Sequence, residues 1–141
     1  MANADALAEL RKEGFVPWVV ELHNIGQHAR DLWSFADVAA YDPTYLRRPR
    51  LVNACGEDLK EHITKYLEGG IDKKTGESFP PNKHLPYLIR WFDCYLYSFV
   101  KRTMRNAEGK LLDRKVYVCR KWKAILSPEG KVSFEQEDSA V

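Results

Sequence analysis

The sequence predicts an α+β protein, mainly helical, with a β-hairpin at its C-terminal end. Three observations carry that expectation. In residues 82–104, Leu85, Leu88, Ile89, Phe92, Tyr95, Leu96, Phe99 and Val100 recur at i, i+3, i+4, i+7 spacing, which is the stripe of a helix packed on a core. In residues 115–126, Val116, Val118, Trp122 and Leu126 alternate with more polar neighbours, the period of a half-buried strand. Ser-Pro-Glu-Gly at 127–130 then makes a turn into Lys-Val-Ser-Phe-Glu, so 115–135 reads as a hairpin. The division that follows is a helical domain over 1–106 and a C-terminal β-hairpin with an acidic tail over 107–141.

Taken in order, residues 3–13 read as a short helix with Ala4, Leu7, Ala8 and Leu10 apolar and Gly14 just past its end. Residues 15–22 are β-branched and aromatic like a strand, yet Pro17 suits a first helical turn. The approximate helical spacing of Val16, Val19, Val20 and His23 tips the expectation to helix. Residues 28–40 read as a helix with Leu32, Phe35, Ala36 and Ala39 on one face. Asp42-Pro43 opens another, which Pro49 ends. Residues 53–68 form a further helix closed by Gly69-Gly70, and 72–81 form an exposed loop. Residues 82–104 are expected to be one continuous helix, capped by Asn82, with Pro86 tolerated in its first turn. Arg90, Asp93, Tyr97 and Lys101 share its polar face. An element this apolar needs cover on several sides, from its own chain or from copies of itself, and the hairpin has edges that need partners. A homo-oligomer is therefore expected.

At 141 residues and 45% hydrophobic, the chain is one globular domain that can bury a true core, and a disordered protein is excluded. Its three cysteines, at 55, 94 and 119, suit reduced thiols in a cytoplasm. No stretch reaches the roughly 18 apolar residues of a membrane span, and the N-terminus lacks a signal peptide's apolar run. The motifs of catalysis are missing: there is no Gly-rich phosphate loop, nucleophile elbow or zinc-spaced Cys/His set. His23 and His28 are five apart and point away from each other on a helix. Glu57, Asp58 and Glu61 are explained as acid at a helix start. No catalytic residue, metal ligand or cofactor is assigned, and the expectation is a non-enzyme.

One stretch carries a specific signal. In residues 35–48, within a candidate helix-turn-helix at 28–50, Ala36 occupies the small-residue position where two helices touch and Ala40 stands at the turn. Asp42-Pro43 caps the second helix, with Tyr45 and Leu46 turned inward. The run resembles the helix-turn-helix of the arabinose-regulator family. That resemblance implies that Thr44, Arg47, Arg48 and Arg50 face double-stranded DNA. Basic clusters at 47–50, 73–74, 101–105 and 114–123 are compatible with phosphate contact. The layout of a helical reading region, apolar helices and a terminal hairpin is similar to that of phage small terminase subunits, which bind viral DNA as rings. It implies a DNA-binding oligomer in a host-cell cytoplasm. The alternative is a small protein-binding inhibitor or adaptor of a mobile element, anchored by Trp18, Trp33, Trp91 or Trp122.

Overall fold

Residues 82–104 do not form the expected helix. In the computed structural model, which describes residues 2–21 and 31–137 and the side chains of all of these except 2, 104 and 112–117, only Leu85–Leu88 is helical there, and Asp93–Arg105 is a strand. The protein is mainly β, built on a six-stranded mixed sheet, with three helices among the described residues. The mainly helical expectation is overturned.

The chain begins with α1 (Ala2–Lys12), then runs through β1 (Val16–Val19), β2 (Val38–Tyr41) and β3 (Arg50–Cys55) as an antiparallel meander. Helix α2 (Leu59–Glu68), a small ribbon of β4 (Gly70–Ile71) and β5 (Ser78–Phe79), and the one-turn α3 (Leu85–Leu88) form the crossover. The chain returns as β6 (Asp93–Arg105), parallel to β3. β7 (Leu111–Leu126) and β8 (Val132–Gln136) complete an antiparallel series, giving the order β1-β2-β3-β6-β7-β8. No helix among the described residues is long and apolar enough to cross a membrane.

The central strand explains the misreading. From β6, Tyr95, Tyr97 and Phe99 pack with Ala6 and Leu10 of α1, Val38, Ala40 and Val52 on one side of the sheet. Cys94 and Leu96 pack on the other with Phe35, Tyr66 of α2, and Leu85 and Leu88 of α3. A strand buried on both faces reads as a continuous apolar run, without the alternation that marks a half-exposed one. The start of that segment does behave as its residues dictate: Asn82 Oδ1 accepts from the backbone N–H of His84 and Leu85, and Pro86 sits in the first turn of α3.

Elsewhere the outcomes divide. α1 stands where the spacing puts it, α2 occupies the later part of 53–68, and β7–β8 is the C-terminal hairpin turning at 127–130. The helix expected over 15–22 is β1 instead, its β-branched residues paired in register from Val16 opposite Tyr41 to Val19 opposite Val38. The helix expected over 28–40 is replaced, in the described part, by a tight turn over 31–37 and strand β2. Residues 42–49 are an irregular loop with a turn at 43–44 and no helix. The two helices of a helix-turn-helix are thus not formed among the described residues of 28–50.

Candidate functional site

The corner after Asp42 gathers the four residues expected at DNA, but ties them inward. Asp42 is almost fully buried and acts as a loop anchor. Its Oδ1 accepts from the backbone N–H and hydroxyl of Thr44 (2.9 and 2.6 Å), its Oδ2 from the backbone and Nε of Arg47 (3.1 and 3.0 Å). The Thr44 bonds above all, then Arg47, hold the Asp42 carboxyl well below the usual carboxylate range. Arg47 also donates to the carbonyl of Glu13 and lies over the Phe15 ring. Arg48 donates to the carbonyl of Ile89 and pairs with Asp93 at 3.5 Å. Arg50 is 8% exposed, bonded to Glu13 Oε2 (2.5 Å) and Tyr97 Oη (2.7 Å) between the rings of Phe15 and Tyr95. Arg50 is a core residue and cannot reach a duplex.

A second basic region has the opposite fate. Beyond Val100, β6 and β7 leave the covered sheet as a two-stranded arm whose residues 101–103 and 105–111 are all exposed. From Val100 to Arg105 the strand advances about 17 Å. The ladder runs to Thr103 opposite Lys115 and, after a register shift, Arg105 opposite Leu111. Asn106 Oδ1 accepts from the N–H of Glu108 and Lys110 (3.0 Å each), and the left-handed Gly109 (φ 82°) completes the turn. Residues 101–117 hold six basic side chains and two acidic ones, so the arm is net +4 and the rest of the chain net −2. The clusters at 101–105 and 114–123 were visible as charge in the sequence; that the first is carried out on the arm while Lys121 and Lys123 of the second turn onto Glu9, Glu13 and Asp93 was not.

A third arrangement had no sequence signal. Val20 N–H donates to the carbonyl of Asp37, carrying the β1–β2 ladder one step further and setting Glu21 beside Asp37. Leu32 and Ala36 pair across a tight turn in which Trp33 and Ser34 adopt φ of 53° and 55°. That turn brings Asp31 back against Asp37. One carboxylate oxygen from each of Glu21, Asp31 and Asp37 can be chosen so that all three lie within 4.8 Å of one another. Burial first, then a hydrogen bond and the charge of Asp31, push the Asp37 carboxyl up to about 8. Asp37 Oδ2 is held by Ala54 N–H (2.9 Å) and Asn53 Nδ2 (3.2 Å). Asn53 is itself braced by the Phe35 carbonyl and by His62, whose far nitrogen meets Asp58 Oδ2 at 2.9 Å. The side chains thus chain together from the surface Asp58 to the buried Asp37.

Beside the three acids opens a cavity of about 640 Å³, with Asp31 and Tyr66 on its wall together with Lys65, Asn82, Lys83 and His84. Gly69 (φ 78°) is obligatory where α2 ends, since a Cβ there would meet the backbone of Phe79 and Pro80, which line the cavity. Asn82 ties the wall to the acidic turn by donating to the carbonyls of Trp33 and Ser34 (3.2 Å each). His62 and His84 therefore have structural places, as brace and wall. His23 and His28 lie outside the described residues. No protein-family model, curated protein or solved structure matches this chain.

Proposed function

We propose that this protein is a non-enzymatic DNA-binding protein that lays the β6–β7 arm into a groove of duplex DNA and acts as a homo-oligomer. The observation that carries the reading is the arm: a projecting ribbon, exposed along residues 101–103 and 105–111, which concentrates a net +4 while the remainder is net −2. A major groove about 12 Å wide admits a two-stranded β-ribbon, and neutralised phosphates release counterions. Arg102, Arg105 and Lys110, with Arg114 and Lys115 in the partner strand, supply the charge. Arg47 and Arg48 have side chains 40% and 47% exposed, but they are engaged with Asp42 and Asp93, so the arm and not the corner carries the contact. The cysteines, all three unpaired, fit a reducing cytoplasm.

Self-association is supported at the opposite end of the sheet. β1 is an edge strand, and Val16, Trp18 and Tyr41 lie exposed there, Trp18 at 77%. Several arms on one duplex would raise affinity through effective concentration. The same aromatic patch favours the second reading, a protein-binding adaptor with no nucleic-acid role.

Fluorescence anisotropy with a labelled duplex, titrated from 50 to 200 mM salt, tests the arm. Wild type should bind at low salt with a steep log–log slope, and Arg102→Ala/Lys110→Ala/Arg114→Ala should lower that slope by about 3. Absence of duplex retention at low salt defeats DNA binding; retention unaffected by the triple change defeats the arm. Light scattering on the eluting protein separates an oligomer from a 16.3 kDa monomer.

A further inference from the structure

We propose that the uncovered aromatic face of β1 and β2 is the contact through which two copies of this chain associate, each inserting Trp18 into a groove of the other. It rests on the homo-oligomer of the proposed function and names the surface that makes it.

The groove follows from strand alternation. Val16 stands opposite Tyr41 and Trp18 opposite Ala39 in the β1–β2 ladder, so the four side chains share one side of the sheet. Ala39 packs against the core formed with α2 and α3, which identifies that side. The helices cover Cys94 and Leu96 of β6 there, but their cover stops short of β1 and β2. Trp18 is 77%, Tyr41 56% and Val16 41% exposed. What remains is a groove of about 510 Å³ lined by Trp18, Tyr41, Pro49 and Phe92, with the small, half-buried Ala39 among them. Phe92 meets Trp33, ring centroids 6.0 Å apart, and Trp33 is itself exposed. The aromatic surface therefore continues past the groove.

The chemistry of the groove selects its occupant. Among the described residues, Arg50 is the only charged one lining it, and its guanidinium lies on the other side of the sheet, over Phe15 and Tyr95. The matching surface is uncharged and aromatic, which is what a second copy of the same face presents. Trp18 is a knob beside its own hole. A twofold axis near it fills both grooves at once, the self-complementarity of an isologous contact. At net +2 per chain, two copies meet with little repulsion. At about 150–250 Å² per aromatic side chain, the exposed parts of Trp18, Tyr41 and Trp33 come to roughly 300–400 Å² per copy. Two copies, with Val16, Pro49 and Phe92 added, approach the roughly 1,000 Å² that a specific interface needs.

Pairing along the strand edge is the competing geometry, and Pro17 opposes it. Val20 N–H donates to the Asp37 carbonyl, so by alternation the backbone of Trp18 faces β2 and that of Pro17 and Val19 faces outward. Pro17 has no N–H to give, which blunts the edge against strand addition.

Light scattering on the full chain during size-exclusion chromatography, over the micromolar range, is the test. Wild type should run as a particle of at least twice 16.3 kDa, with a melting temperature that rises with protein concentration. Trp18→Ser should weaken association at least tenfold and remove that concentration dependence, with Tyr41→Ser as the second variant. Val19→Pro, which removes the remaining outward N–H of β1, should leave the particle intact. An oligomer that survives both serine changes overturns this contact and leaves the homo-oligomer standing. An oligomer lost in Val19→Pro but kept in Trp18→Ser overturns the face in favour of the edge. A wild type that is monomeric throughout overturns the contact and the homo-oligomer together, while duplex binding by the arm answers to its own salt titration.

Discussion

The corner at 42–50 and the arm at 101–117 are both basic, yet the fold treats them in opposite ways. In the corner each arginine is turned back onto the protein: Arg47 onto Asp42, Arg48 onto Asp93, Arg50 into the core against Glu13 and Tyr97. In the arm the described positions are exposed and carry more positive charge than the whole molecule nets. A run of arginines is therefore a statement about charge, and only the cover around it says whether the charge serves folding or an outside partner. Guanidinium groups suit the inward use because planar forks stack on rings and grip carboxylates, as Arg50 does between Phe15 and Tyr95.

The sharpest test of the contrast is Arg50→Ala, which strips the guanidinium from between Phe15 and Tyr95 and leaves Glu13 to Lys121 and the Tyr97 hydroxyl. It should cost about 2–3 kcal/mol in denaturant unfolding. A loss below about 1 kcal/mol would mean that the corner is as solvated as the arm. Next in size is the arm: the Arg102/Lys110/Arg114 alanine variant should lose at least tenfold in duplex affinity, about 1.4 kcal/mol, as read by anisotropy at low salt.

A smaller effect follows from Asp42. Its carboxyl is held below the usual range by Thr44 and Arg47, so the stability it adds is full above the unfolded value near 3.9 and is lost as pH falls through the folded one. Wild type should lose stability on acidification below about pH 4, and Asp42→Asn should flatten that loss. An identical acid profile in the variant would detach the carboxylate from the corner's stability. The smallest effect expected is that of the arm substitutions on folding, within about 0.5 kcal/mol each. A larger loss would show that the arm packs against something and does not project.

Much local structure was legible in the residues. The spacing of Leu7 and Leu10 with Gly14 behind them located α1, the helix expected over 53–68 contains α2 but began six residues early over the end of β3, and 127–130 located the turn of the last hairpin. Asn82 and Pro86 announced the start of α3. The strand at Asp93–Arg105 was not legible. Helix α1 covers its Tyr95–Tyr97–Phe99 side and α2 with α3 cover its Cys94–Leu96 side, so no polar alternation is left to separate strand from helix. The acidic turn was hidden for another reason. Glu21, Asp31 and Asp37 come from three segments, and only the β1–β2 ladder and the Leu32–Ala36 pairing bring them together.

By itself, then, the sequence determined where the chain is apolar, where it turns and where its charge is concentrated, because those are properties of consecutive residues and their short-range bonding. The tertiary structure decided which apolar run became the central strand, which arginines are core and which project, and which carboxylates meet. Each of those outcomes depends on what packs against a residue from far along the chain, and long-range cover leaves no periodic mark on the residues it covers.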